Sequence, residues 1–399
     1  MSEILIAAGH VVPGDGSPEL AGSDVLVERG VITAVAPGLS APPGATVIDA
    51  AGMVVMPGLV DGHRHVWQAP LRGTGADMTL PDYLGTLLGP ILAAYTPADA
   101  ELATRLGAAE ALDAGITTVF DWSNTTTTAA HTDAVRDAFA AAGIRAVVGH
   151  VHPDHEAFAR RIARGPATVS AGLAILGIEY GDRGETERAI HASRGLGLPV
   201  TMHAGGPAVR ALHDAGLLER HVHLVHLNAV TAGDAKLLAG TGAGVTVTPV
   251  VEATMGHGAS AYGRLHDAGA RPGLGTDVVV NAPADLFEPL RDTLRTERLR
   301  TGAMPPAAGV LAAATVDSAR AIGLDHLVGT VCVGKHADLV LLRGLPRPGA
   351  AAAVVAATPS DVDTVLVDGR VVKRAGRLLD HDLSALRRAG RELARRVLG

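Results

Sequence analysis

Through its middle the chain alternates short apolar runs with Ala/Leu/Arg-rich helical stretches, and it does so eight times. The runs are VVMPGLV (54–60), ITTVFDW (116–122), IRAVVGHV (144–151), AGLAILGIE (171–179), LPVTMH (198–203), HVHLVHL (221–227), GVTVTPVV (244–251) and RPGLGTDV (271–278). Nearly continuous apolar runs of this length read as strands buried on both faces. The stretches between them, such as PADAELATRLGAAEALDAG and AHTDAVRDAFAAAG, close on glycine as a helix C-terminus does. Eight buried strands, each followed by a helix, predict an α/β fold of the (β/α)8 TIM-like barrel type. A doubly wound sheet would need a glycine-rich phosphate loop after its first strand, and here that strand ends in DGHRH.

The ends of the chain read differently. Residues 1–55 and 326–380 are β-branched and apolar, broken at close intervals by Gly, Pro and Asp. They predict one composite β-sandwich domain beside a barrel at 56–325. The last stretch, 381–399, carries Leu386, Leu393 and Val397 on one helical face and predicts a C-terminal helix with a solvated arginine face. The threonine run 125–128 is expected to be a loop.

Composition then narrows the function. Hydrophobic residues reach 47% and charged ones 19%, enough for a large core, and with only 3% aromatic that core must be built from Ala, Val and Leu. A net charge of −7 argues against nucleic-acid binding. The single Cys332 excludes an internal disulfide and any cysteine-built metal centre, so a metal must be held by carboxylate and by some of the 18 histidines. The start, MSEILIAAGHVV, lacks a basic leader region, and no window approaches the roughly 20 apolar residues of a membrane span. The expectation is a cytoplasmic protein with no membrane partner.

His63 and His65 end the first barrel run. On a strand, residues i and i+2 point the same way, about 7 Å apart along the chain, which suits two neighbouring positions on one metal ion. An HxH pair is weak by itself. Position strengthens it, because active sites of such barrels lie at the C-terminal strand ends. His203, His226 and Asp277 hold that place on three other runs.

At this point the chain resembles the amidohydrolase superfamily. The resemblance is carried by Met56-Pro-Gly-Leu-Val-Asp-Gly-His63-Arg-His65, Glu110-Ala-Leu-Asp-Ala-Gly-Ile-Thr-Thr118, Gly273-Leu-Gly-Thr-Asp277 and Gly329-Thr-Val-Cys-Val-Gly-Lys-His-Ala-Asp338-Leu-Val. The stretch Gln68-Ala-Pro-Leu-Arg72-Gly73 is similar to the branch of aminohydrolases and chlorohydrolases of nitrogen heterocycles. That resemblance implies a mononuclear site, zinc first and iron second, with His63, His65, His203 and Asp277 as ligands. It implies that His226 contacts the attacking water or the substrate. Binuclear members bridge their metals with a carboxylated lysine at a strand end. The lysines here are Lys236, Lys335 and Lys373, none at a barrel strand end, so one ion is expected.

The pattern breaks in one place. Deaminases of that branch carry a proton-shuttling Glu three residues after the third His, and this chain reads His203-Ala204-Gly205-Gly206. Gly206 is expected to widen the pocket for substrate or for a carboxylate from another strand. Two replacements are available: Glu252, read as the end of the seventh strand, and Glu179, read as the end of the fourth. Trp67 and Gln68, directly after the metal pair, and His257 are expected to bind substrate; Trp122 and Asn124 are weaker candidates. His150 and His152 form a second HxH, read as pocket or structural histidines.

The expected function is metal-dependent hydrolysis of a C–N bond in a small nitrogen-containing, heterocyclic molecule. A bound ion lowers the pKa of its water toward about 7, and Asp277 serves as general base. The alternatives are a cyclic-amide hydrolase, a Lewis-acid lyase, cyclase or isomerase, and a non-catalytic ligand-binding barrel. The expected partner is a small-molecule substrate, and the resemblance adds a homo-oligomer.

Overall fold

The computed structural model describes residues 3–345 and 349–399. Eight parallel strands form one sheet in chain order: β1 (Leu59–Arg64), β2 (Ile116–Ser123), β3 (Arg145–His150), β4 (Val169–Ile175), β5 (Val200–Ala204), β6 (Val222–His226), β7 (Gly244–Val247) and β8 (Gly273–Leu274). A parallel bridge between Arg64 and Asp277 joins the first strand to the chain just past the last, closing the barrel. The helices between strands begin and end as their sequences dictate. Pro97–Asp113 starts on a Thr96/Asp99 capping box with proline in its first turn. Ala129–Ala142 and Arg183–Leu196 stop at Gly143 and Gly197, both in the left-handed region. The core is largely Val, Leu and Ala, as the scarcity of aromatics requires.

The flanks combine into a single nine-stranded mixed sheet. Its two halves meet where Val54–Pro57 pairs antiparallel with Leu339–Leu342. The sheet folds over its own core: Val27 and Leu366, from opposite halves, lie in one buried cluster, and Val31 bridges to His336. The apolar run 54–60 is therefore two strands and not one. Val54–Pro57 belongs to the mixed sheet and only Leu59 onward to the barrel, with Gly58 between. A Cβ on Gly58 would lie 2.1 Å from Thr117 Oγ1, so the chain can turn from one sheet to the other only with glycine there.

Asp338 fastens the two units together. It accepts from the Arg145 guanidinium on β3, at 3.0 and 3.1 Å, and from the Asp368 amide of the mixed sheet. Helix Leu383–Leu398 buries Leu386 and Leu393. Two of its arginines are paired: Arg387 with Glu110 and Arg396 with Asp99. Among the described residues no helix is long and apolar enough to cross a membrane.

Candidate active site

The closing seam of the barrel builds the floor of the site. The Asp277 amide donates to the His63 carbonyl and the His65 amide donates to the Asp277 carbonyl, each at 2.9 Å. Asp277 takes a left-handed backbone (φ 57°), as does His226 (φ 77°) at the end of β6. Non-glycine residues rarely adopt that region, and surrounding structure must hold them in it. Here the seam bonds supply that support for Asp277.

His63 links two overlapping groups of donors, one with His65 and Asp277 and one with His203 and His226. His63 Nε2 lies 3.2 Å from His203 Nε2 and 3.3 Å from Asp277 Oδ1, and His65 Nε2 lies 3.4 Å from the same Oδ1. Ligands at 2.0–2.1 Å on a tetrahedral ion stand about 3.3 Å apart, so the donor spacing and donor chemistry fit a divalent metal. His226 joins His63 and His203 in the second of these groups.

Protonation favours the same use. Burial, reinforced by the neighbouring His63, pushes His65 down to about 4 and His203 well below its ordinary value, leaving neutral imidazoles. Burial alone would raise Asp277; the His63 hydrogen bond and the surrounding imidazoles outweigh it and hold the carboxylate ionised. His226 moves the other way. Burial disfavours its charged form, but the Glu252 hydrogen bond and the Asp277 charge prevail and raise it.

A further layer orients these groups. His65 Nδ1 meets Asn124 Oδ1 at 3.0 Å, and Trp67 Nε1 donates to that same oxygen at 3.0 Å. His226 Nδ1 lies 3.0 Å from Thr248 Oγ1 and 3.3 Å from Glu252 Oε1. The Thr248 hydroxyl also reaches Asp277 Oδ2 at 3.5 Å. Below, His223 bridges Thr201 and Thr246 at 2.9 and 2.8 Å, and burial drives it down to about 3. It is a satisfied core histidine.

Several residues expected to face substrate do not. Trp67 is buried, edge-on to Tyr95, and acts on the site through Asn124. Gln68 is fully buried and donates to Tyr83 Oη at 2.5 Å. His152 lies in the loop beyond β3, outside the cavity lining, against the ring of His150. His150 is a structural residue, stacked on Phe158 and bonded to Thr126 and Asp154.

Glu252 is not at a strand end. Pro249 stops β7 and opens the short helix Pro249–Thr254, which carries the carboxylate beneath His226, fully buried and away from the cavity. Glu179 likewise sits past β4, in the turn Gly177–Tyr180. It accepts from the amides of Gly205, Gly206 and Ala208 at 2.6, 3.1 and 2.6 Å, so it is a loop clamp. Gly206 does not widen the pocket. A Cβ there would stand 2.7 Å from the Ala229 backbone.

His257 does line the cavity, as do Trp122 and Asn124. The residues missed from the sequence are Tyr83, Leu80, Leu84 and Leu88, from helix Leu80–Thr86 and the turn after it, and Asn228 and Thr248 at strand ends. Thr248 and Asn228 followed recognisable strand-end positions and could have been flagged by that signal.

An eight-stranded barrel with imidazole and carboxylate donors at its closing seam defines a metal-hydrolase architecture. The chain belongs to the amidohydrolase family, whose model matches residues 54–372. It is 32% identical to a 5-methylthioadenosine/S-adenosylhomocysteine deaminase of Halobacterium salinarum, over 97% of this chain and 96% of that one. A protein of the same name from Desulforudis audaxviator is 30% identical over 99% of both. A zinc-bound adenosine deaminase structure from Xanthomonas campestris superposes with a TM-score of 0.90 at 25% identity, covering 100% of this chain and 99% of that one. A zinc-bound atrazine chlorohydrolase structure from Arthrobacter aurescens has the same fold, with a TM-score of 0.87 at 22% identity over 98% and 100% of the two chains. This chain is a hydrolase acting on carbon–nitrogen bonds other than peptide bonds.

Proposed function

We propose that the protein hydrolytically deaminates an aminated, purine-type heterocycle, using one zinc ion held by His63, His65, His203 and Asp277. The observation that carries this reading is that His63 Nε2 lies 3.2 Å from His203 Nε2 and 3.3 Å from Asp277 Oδ1, with His65 Nε2 3.4 Å from the same oxygen. The deaminases among its relatives favour ammonia as the leaving group. Lys236, Lys335 and Lys373 all lie away from the C-terminal ends of the barrel strands, which supports one ion over a carbamate-bridged pair. The ion supplies Lewis acidity, which brings the pKa of water from 15.7 toward about 7.

The chain's own residues do the rest. Asp277 takes a proton from the attacking water at Oδ2, the oxygen it does not share with His63 and His65. Glu252 and Thr248 occupy His226 Nδ1, so its Nε2 is the nitrogen available to hold a proton for the departing amine. Glu252 is thus a positioning residue, and His226 takes over the duty of the glutamate absent at Gly206. Trp122 lies on the cavity wall with its ring against that of His203, 4.0 Å between centroids, and packs this ligand in place.

The test is ammonia release from adenosine and 5-methylthioadenosine by the zinc-loaded protein. Release that disappears on chelation and returns with zinc supports the reading. Turnover untouched by chelation contradicts it.

A further inference from the structure

The cavity above the site measures about 620 Å³ and its walls are sorted by chemistry. All of its ionisable side chains except His257 and the two tyrosines belong to the donor group at the floor. Much of the remaining wall is apolar: Leu80, Leu84, Leu88, Leu176, Met255 and Val278. Among the described residues, no Lys, Arg or Glu lines the cavity. Several polar wall groups already have partners: Asn124 Oδ1 serves His65 and Trp67, Tyr83 Oη accepts from Gln68, and Asn228 Nδ2 donates to the Ala259 carbonyl, while the buried His257 Nε2 has none.

The rim is unusual for a surface. Leu84, Leu176 and Tyr180 are 46%, 63% and 58% exposed, three large apolar groups around one opening. An apolar substituent lying across them removes that surface from water, with a gain proportional to the area covered. A charged substituent on the same path gives up hydration and meets no opposite charge.

We propose that the substrate is a heterocycle carrying an uncharged, apolar substituent, and that the Leu84–Leu176–Tyr180 rim selects it against the same head with a charged tail. This rests on the deaminase reading for its chemistry and goes beyond it in naming what the mouth accepts. The reading holds although relatives are named for two substrates, one of which ends in an amino acid.

The test compares 5-methylthioadenosine with S-adenosylhomocysteine, which share the adenine nucleoside head and differ in the tail, an uncharged methylthio group in one and a zwitterionic amino acid in the other. On the zinc-loaded full chain, kcat/KM from ammonia release and Kd from calorimetry are measured for each. The expected preference for 5-methylthioadenosine is about 10²-fold in kcat/KM, with tighter binding. Leu176→Arg, at an exposed position, gives the tail carboxylate a partner and should narrow that preference about tenfold. Leu84→Arg should do the same, and melting temperatures verify that both variants fold.

Equal or better use of S-adenosylhomocysteine by the wild type, in turnover and in binding, overturns the rim proposal and leaves deamination standing. If neither compound releases ammonia yet 5-methylthioadenosine binds more tightly, the rim proposal stands and the deaminase reading falls. If neither is turned over and neither is preferred, both fall.

Discussion

At the floor of the cavity each donor sits at or just past a barrel strand end, whereas the mouth residues Leu84, Leu176 and Tyr180 stand half open to water, Leu84 and Tyr180 on short helices between strands and Leu176 just past β4. The floor is held by the seam bonds of Asp277, by Asn124 on His65 and by Glu252 and Thr248 on His226. The mouth is held by apolar packing of buried members such as Leu87 and Tyr83, by the Thr79/Asp82 capping box, by the Gln68 bond to Tyr83 and by the Glu179 clamp on the amides of Gly205, Gly206 and Ala208. A tightly bonded floor suits chemistry, where an error of 1 Å is costly, and an exposed apolar mouth suits selection by size and polarity. Substitutions at the floor should therefore remove rate, and substitutions at the mouth should redistribute it among substrates.

The largest effect is expected at the seam. Asp277→Ala removes both a donor and the proton acceptor and should lower kcat by about 10⁴-fold or more, measured as ammonia release. Activity within tenfold of wild type would mean the floor is not the reacting end. Glu252→Gln keeps the shape beneath His226 but removes the charge, and kcat should fall about 10²-fold with little change in KM. Because Glu252 acts through His226, its pH–rate profile should shift as well, which loss of packing alone would not produce.

Asn124→Ala frees His65 and Trp67 from their common partner. Zinc affinity should weaken about 10–100-fold in a competition titration, with a smaller change in kcat at saturating zinc. The smallest effect concerns stability. Burial holds His223 at about 3 when folded, against an ordinary value of about 6.5. Between those values the unfolded chain binds a proton that the folded chain refuses, so the stability present above pH 6.5 is lost progressively as pH falls. The melting temperature of a His223→Gln variant should fall less steeply than wild type between pH 6.5 and 4. A parallel fall would assign the acid sensitivity elsewhere.

The two regions also differed in how far they could be read in advance. The floor was visible because period-2 alternation puts His63 and His65 on one side, and barrel geometry gathers strand ends however far apart they lie in sequence. The mouth was not. Leu84 lies between Leu80 and Ile91, where Gly85, Gly89 and Pro90 interrupt any helical period, and Leu176 and Tyr180 follow β4, where the continuing apolar run does not mark them as exposed. Glu252 was read on a strand because Val250 and Val251 continue the apolar run, although Pro249 had already ended it. The space beside Gly206 is filled by the backbone of Ala229, a contact between loops that leaves no trace in composition or spacing. Glu179 looked like a free carboxylate for the same reason, since its partners are main-chain amides.

The central claim is that His63, His65, His203 and Asp277 form one divalent-metal site at the barrel seam. Calorimetric titration of the metal-stripped protein with zinc tests it most directly. The account predicts one tight site per chain, lost in a His63→Ala, His203→Ala double variant that still melts cooperatively. Two tight sites per chain, or zinc binding unchanged in that variant, would contradict it.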